Sequence, residues 1–287
     1  MTLGTVREER VADAATAPYA APDVHAPASV ALRNVTCTFA GGYTAVRGIS
    51  LDVREGEFVS VVGPTGCGKS TLLNMAAGLL APSEGEVEAF GAPLRGLNRR
   101  AGYMFQADAL MPWKSARNNV AVGLEARGVA RAVALARADA WLARVGLEGF
   151  EDRYPHQLSG GQRKRVALAQ TLILEPEIVL MDEPFSALDV QTRQLMENEL
   201  LDIWQAAQRS VLFITHDLEE AISLSDRVVI LSAGPASHIV GDYAVDLPRP
   251  RDVSEIRLTP RFLELHKTIW AALKEEVLKT YATARSH

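Results

Sequence analysis

The sequence predicts an α/β fold, in which helices alternate with the strands of a mainly parallel sheet. Three observations predict it. The apolar run Phe58-Val59-Ser60-Val61-Val62 leads into a glycine-rich loop and then an apolar helix. A second run, Ile178-Val179-Leu180-Met181, follows a helix and ends in Asp182, Glu183 and Pro184. Two more runs, Val211-Leu212-Phe213-Ile214 and Val228-Val229-Ile230-Leu231, leave room for one short helix between them. Short continuous apolar runs are strands buried on both faces, and strands alternating with helices pair in parallel.

Each segment has its own reason. Residues 1–29 are rich in Ala and Pro, with Pro18, Pro22 and Pro27, and have little to bury, which predicts a flexible tail. Order begins at Val30, where Val30-Ala31-Leu32-Arg33-Asn34-Val35-Thr36 alternates as a strand does. Ile49-Ser50-Leu51-Asp52-Val53 alternates too, and Glu55-Gly56-Glu57 is a turn before the Phe58 strand. The helix after the glycine loop is expected over 70–80, and Gly102-Tyr103-Met104-Phe105 is expected as a strand. From Trp113 the chain turns Ala- and Arg-rich, with Val120, Leu124, Val133, Leu135, Leu142 and Val145 at helical intervals. That predicts a helical insertion over 113–147. Further helices are expected over 162–174 and 193–207. Thr259-Pro260 opens a last helix, with Phe262, Leu265, Ile269, Leu273 and Val277 along one stripe.

Composition bounds the function. The 287 residues carry a formal net charge of −5, so a bulk basic surface for nucleic acid is not indicated. Two cysteines, Cys37 and Cys67, exclude a disulfide framework and fit a reducing compartment. No apolar run approaches the ~20 residues of a membrane helix. Arg7, Glu8, Glu9 and Arg10 have no apolar stretch behind them, unlike a secretory signal.

Gly63-Pro64-Thr65-Gly66-Cys67-Gly68-Lys69-Ser70, with Thr71 next, fits the phosphate-loop pattern. The glycines let backbone N–H groups turn inward around phosphate oxygens, and the helix N-terminus favours anions. Lys69 brings a charge to the β- and γ-phosphates, and Ser70 offers a hydroxyl to Mg²⁺. A chance match is expected in roughly one chain per hundred of this length, before the flanking strand and helix are counted. Cys67 is read as a small residue tolerated in the loop rather than a redox sensor.

The strand ending at Met181 carries Asp182 and Glu183 to the edge where ligands sit in open α/β sheets. Asp182 suits the Mg²⁺ shell beside Ser70, and Glu183 is placed to orient or deprotonate a water attacking the γ-phosphate. Alone, the tripeptide Asp182-Glu183-Pro184 reads as a helix cap and a proline stop; the loop upstream favours the chemistry. Leu158-Ser159-Gly160-Gly161-Gln162 opens a helix and forms a second anion site, or, taken alone, a linker or cap. With one nucleotide already held by the first loop, the second site makes sense if it covers a nucleotide on another subunit. Arg163-Lys164-Arg165 is read as a solvated helix face.

These motifs, in this order and spacing, resemble the ATP-binding subunit of an ABC transporter, over residues 30–233. The resemblance implies a P-loop NTPase (RecA-like) core with an antiparallel β subdomain and a helical subdomain. It divides the chain into a tail at 1–29, an ATPase domain at 30–235 with its helical subdomain about 107–160, and a C-terminal extension at 236–287. It implies ATP and Mg²⁺ as cofactors. Gln106 matches the glutamine that links the γ-phosphate and Mg²⁺ to the helical subdomain. Ser186-Ala187-Leu188-Asp189 matches the dimer-contacting loop, and His216 the switch histidine. Phe39 matches the aromatic that stacks on adenine, Tyr43 being the alternative. Without the family, His216 is a core histidine and Gln106 a surface residue; their strand-end positions favour the functional assignment.

The resemblance further implies a homodimer in which each phosphate loop faces the partner's Ser159 and Gly161. It implies docking on separate transmembrane permease subunits, an extracytoplasmic solute-binding protein as an indirect partner, and a peripheral location on the cytoplasmic face of the inner membrane. Asp108-Ala109-Leu110-Met111-Pro112-Trp113 resembles a segment of the nitrate, sulfonate, taurine and bicarbonate import group. Two other functions compete with this one. A DNA-repair or translation ATPase would need a long coiled coil or a second cassette, and fewer than about a hundred residues separate the phosphate loop from Ser159. A regulatory module without turnover is opposed by Glu183 and His216.

Overall fold

The computed structural model describes residues 27–207 and 209–284. The expected tail therefore lies, as far as residue 26, outside the described residues. Two sheets carry the fold. The first is antiparallel, in the order β2-β1-β4-β5. It is built from β1 (Ala28–Thr38), β2 (Thr44–Arg54), β4 (Glu84–Ala89) and β5 (Ala92–Pro93). The second has six strands in the order β10-β9-β3-β8-β7-β6. These are β3 (Phe58–Val62), β6 (Ala101–Met104), β7 (Ile178–Asp182), β8 (Ser210–Ile214), β9 (Arg227–Leu231) and β10 (Ile239–Ala244). All neighbours are parallel except β10, which runs antiparallel to β9.

Every residue of β3 and β8 is buried, as their unbroken apolar runs require. The register aligns the ends of the strands. Val61 pairs with Ile214, Ile214 with Asp182, and Met181 with Met104. The segments after β3, β6, β7 and β8 thus emerge at one edge, leading to Lys69 at the start of the next helix and carrying Gln106, Glu183 and His216.

The insertion folds as α2 (Ala116–Ala126) and α3 (Arg131–Arg144), which pack on α4 (Gly160–Leu172), the helix expected over 162–174. Val120, Ala121, Leu124, Ala134, Ala138 and Leu142 are buried between them. The remaining helices are α1 (Lys69–Ala76), α5 (Val190–Ala207), α6 (Leu218–Leu224), α7 (Val253–Ile256) and α8 (Pro260–Ala284). Helix α8 starts at Pro260 as expected and buries Phe262, Leu265, Ile269 and Leu273 against Leu218, Ala221 and Ile222 of α6.

The structure departs from or adds to the sequence reading at three points. Helix α1 stops at Ala76, not residue 80. Gly78 lies in the left-handed region (φ +70°), and a Cβ there would meet the Gly96 carbonyl oxygen at 1.9 Å, so the chain must turn away at a glycine. Strands β4 and β5 were not expected. In β4 only Val87 is buried, so it has no apolar run to betray it. Strand β10, beyond residue 235, pairs with β9 and belongs to the main sheet.

Candidate nucleotide site

The phosphate loop is shaped by contacts that leave no room for side chains at two glycines. A Cβ on Gly63 would lie 2.8 Å from Cys67 Sγ and 3.0 Å from the Leu231 carbonyl oxygen. On Gly68 it would lie 2.6 Å from Val46, and Gly68 also holds a left-handed backbone (φ +92°) at the N-cap of α1. Lys69 is buried, and its Nζ donates to the carbonyls of Gly63 at 2.9 Å and Pro64 at 3.1 Å. The ammonium therefore spans the loop rather than facing solvent. Thr65, Gly66 and Ser70 are exposed, and Thr71 is half-buried. Cys67 is fully buried, and burial pushes its thiol up, which suits a packing role.

Asp182 ends β7 opposite Ser70, whose hydroxyl donates to Asp182 Oδ1 at 3.1 Å. Burial raises the Asp182 carboxyl, the Ser70 hydroxyl lowers it, and Glu183 beside it raises it again. A hydroxyl and a carboxylate at this spacing form a hard-oxygen pair of the kind Mg²⁺ takes.

Glu183 has φ +44°, a left-handed backbone that a glutamate rarely adopts. Three bonds hold it there. Its N–H donates to the Ile214 carbonyl at 2.9 Å, and its carbonyl accepts from the Ser186 N–H at 3.3 Å and Oγ at 3.0 Å. The carboxylate Oε2 consequently lies 3.0 Å from His216 Nδ1 and 3.5 Å from Gln106 Nε2. Three residues separated widely in sequence, at the ends of β6, β7 and β8, meet at one oxygen.

Phe39 and Tyr43 are exposed in the turn between β1 and β2, closed by the Phe39 N–H on the Tyr43 carbonyl at 2.8 Å. That turn opens the strand whose Val46 touches Gly68.

Ser159, Gly160, Gly161 and Gln162 sit elsewhere. Ser159 Oγ accepts from the Gln162 N–H at 3.2 Å, and Gln162 Oε1 accepts from the Ser159 N–H at 2.9 Å. This reciprocal cap starts α4. A Cβ on Gly161 would meet Thr192 of α5 at 2.7 Å. Among the described residues these four make no hydrogen bond to the phosphate loop of the same chain. Asp189 caps α5 by accepting from the Thr192 N–H at 3.0 Å, and that bond holds its carboxyl below the ordinary range.

The expectation for Arg163-Lys164-Arg165 is overturned. Lys164 is buried and donates to the Gln106 carbonyl at 2.5 Å, with Asp108 Oδ1 at 3.0 Å. Arg163 reaches Asp108 Oδ2 at 2.9 Å, and Arg165 lies 3.4 Å from Glu199. The helix that Ser159 caps is thereby tied to the segment after Gln106. Arg193 was also missed. It joins the Leu188 carbonyl to Asp217, each at 3.1 Å, and so links the loop after Glu183 to the segment after His216. A basic triplet carries no sequence mark that distinguishes a paired face from a solvated one.

Beside Gln106, an open groove of about 520 Å³ is lined by Leu79, Leu97, Arg99, Phe105 and Arg127. Trp113, further along the chain, is 73% exposed, and the segment before it is fixed by Asn119, which bonds both the N–H and the carbonyl of Met111.

A family profile described as ABC transporter matches residues 46–186. An uncharacterized ABC transporter ATP-binding protein of Methanocaldococcus jannaschii is 50% identical over 236 residues, covering 82% of this chain and 86% of that one. The chain belongs to the ATP-binding subunits of ABC transporters. Other members of this ABC family are similar along most of their length. A taurine import ATP-binding protein of Burkholderia pseudomallei is 43% identical, covering 82% of this chain and 92% of its own. A nitrate import ATP-binding protein of Synechococcus elongatus is 41% identical, covering 78% and 83%. A solved ATP-binding cassette, dimeric in a post-hydrolysis state with ADP and Pi, aligns with TM-score 0.68 at 33% identity, covering 76% of this chain and 99% of that one. The ABC cassette fold, with its mainly parallel sheet, antiparallel β subdomain and helical subdomain, is thus the fold the sequence predicts.

Proposed function

We propose that this ABC ATPase subunit hydrolyses ATP at the site formed by Lys69, Ser70, Asp182, Glu183, Gln106 and His216, and so drives an importer. The meeting of Gln106, Glu183 and His216 at one carboxylate oxygen carries the assignment. The backbone of Gly63, Pro64, Thr65, Gly66, Cys67 and Gly68 wraps the phosphates, and Lys69 exchanges loop carbonyls for phosphate oxygens. Ser70 and Asp182, with Gln106, would hold Mg²⁺, which would supply neutralisation of the charge that develops on the phosphates. Glu183 takes a proton from the attacking water as its oxygen bonds to the γ-phosphorus and the bond to ADP breaks. His216 orients that carboxylate and meets the γ-phosphate. Phe39 stacks on the adenine.

Ser159, Gly160, Gly161, Gln162 and Asp189 lie away from their own phosphate loop, which supports their contacting the nucleotide of a second copy. The dimeric state of the solved relative supports the same arrangement. The groove beside Phe105 and the exposed Trp113 support docking of a permease there, on the cytoplasmic face of the membrane. The taurine and nitrate import relatives support a small anion or organic solute as cargo.

Glu183→Gln tests the assignment. Gln keeps the size but takes no proton, so turnover should fall about 10²- to 10⁴-fold while ATP binding persists. ATP should then drive closed dimers visible by light scattering, and Ser159→Arg added to the variant should prevent them. Turnover at the parent rate would remove Glu183 as the base. Uptake of taurine or nitrate by the chain reconstituted with its permease tests the cargo, and uptake of neither would overturn that part.

A further inference from the structure

The loop after β9, residues 232–238, lies between the C-terminal helix and the phosphate loop. A Cβ on Gly234 would sit 3.3 Å from the Gly66 carbonyl oxygen and 3.7 Å from Cys67 Cα, so this loop is in contact with the phosphate-loop backbone. Its other side is stitched to β2. The Ala236 N–H donates to the Thr44 carbonyl at 2.7 Å, the Ser237 N–H to the Ala45 carbonyl at 3.0 Å, and the Arg47 N–H to the Ser237 carbonyl at 2.9 Å. Val46, between these bonded residues, is the side chain against Gly68. The segment therefore reaches the phosphate loop twice, directly at Gly66 and Cys67 and through β2 at Gly68. Ala236 holds a left-handed backbone (φ +55°) within it, a strained conformation that persists only where surrounding bonds enforce it.

A further bond to this loop comes from α8. Glu276 is 4% exposed, and its Oε2 accepts the Ala233 N–H at 2.9 Å while Oε1 accepts from Lys279 at 2.5 Å. Position 276 continues the buried stripe of Phe262, Leu265, Ile269 and Leu273, where a leucine would satisfy the packing of the helix. A buried carboxylate there costs free energy that packing alone does not require. Its partner is a loop N–H one residue before Gly234. Burial raises the carboxyl, but Lys279, the Ala233 N–H and His238 together bring it below the ordinary range.

We propose that Glu276 is a positioning residue for the phosphate loop, acting from the C-terminal helix through Ala233 and Gly234. The proposal rests on the nucleotide site assigned above. It gives α8 a part in nucleotide affinity, since a change at the outer end of the helix would reach Gly66 through one hydrogen bond and one backbone contact.

The test is ATP binding by the full-length chain, measured by titration calorimetry, with hydrogen–deuterium exchange over residues 63–70. Glu276→Leu should weaken ATP binding about 3- to 10-fold and speed exchange in the phosphate loop, without lowering the melting temperature. Glu276→Gln, which keeps an acceptor oxygen for Ala233, should restore most of the affinity. A merely structural role would lower the melting temperature and leave affinity and loop exchange unchanged, and that result overturns the proposal. Should Glu276→Leu fail to fold, Gly234→Ala asks the same question, because its methyl presses on Gly66; unchanged affinity there overturns it too. Lys69→Ala serves as the control. If it binds ATP like the parent, the nucleotide site itself is misassigned. If it loses binding while Glu276→Leu and Gly234→Ala do not, only the role of Glu276 falls.

Discussion

Glu183 shows how a single residue is fixed by its neighbours rather than by its own preference. Its left-handed backbone precedes Pro184, which disfavours helical conformations at the residue before it, at a cost of order 1–3 kcal/mol. The bonds to Ile214 and Ser186 hold that conformation and aim the carboxylate at His216. The residue type was legible in sequence, because an acid pair at the end of an apolar strand is a recognisable pattern. The aim of the side chain was not, because it depends on a bond to β8. Phe39 is a simpler case. Stacking acts on the base and not on the phosphates, so Phe39→Ala should weaken ATP binding by about 1–3 kcal/mol and leave inorganic triphosphate binding unchanged. Equal losses for both ligands in a competition titration would shift the assignment to Tyr43.

Helix α4 illustrates the element scale. Ser159 and Gln162 satisfy each other's backbone N–H groups at its start, and Lys164 and Arg163 on its first turns hold the segment after Gln106. The same serine thus caps the helix and is offered as a phosphate contact. The two roles separate by substitution. Ser159→Ala should lower the unfolding free energy by about 1 kcal/mol, whereas Ser159→Gly should cost only a few tenths. Denaturant melts of the isolated chain measure this, and equal stability for parent and Ser159→Ala would mean that the cap carries no weight. The start of α4 was visible from its serine and glycines. Its buried Lys164 was not, since only the position of Asp108 in space makes that lysine a clamp. Strands β4 and β10 were missed for a related reason. Both lie at or near sheet edges, β4 with one buried residue and β10 with none, so neither has the apolar run that reveals a strand.

At the scale of the whole molecule, α5, α6 and the chain after α7 enclose a buried acid cluster behind the His216 segment. Glu220 on α6 is bonded to the Thr215 hydroxyl, and Glu197 on α5 accepts from Arg257 at 3.0 Å. Asp217 and Arg193 complete the surroundings. Burial pushes the Glu220 carboxyl up to about 8 and that of Glu197 to about 7, from an ordinary 4.5. The folded chain therefore keeps protons that the unfolded chain releases. Stability from this cluster is full below the unfolded value and is lost as pH rises through the folded values. The melting temperature of the parent should fall between about pH 5 and about pH 8 more steeply than that of Glu220→Gln, which stays neutral throughout. Parallel curves from calorimetric scans would show that Glu220 is ionised in the folded chain.

The sequence by itself determined the strand–helix alternation, the phosphate loop and the acids at the end of β7. These are encoded locally, in apolar runs, in glycines and in residue types at fixed spacing. It also determined the family, because several such motifs occur in one order. The tertiary structure alone decided which side chains meet. Gln106, Glu183 and His216 converge because the parallel register brings three strand ends level. Lys164 faces Gln106, and Glu276 faces Ala233, across distances in sequence that no periodicity spans. A buried charge is paired by whatever the fold places opposite it, and that partner is a property of the packing, not of the neighbouring letters.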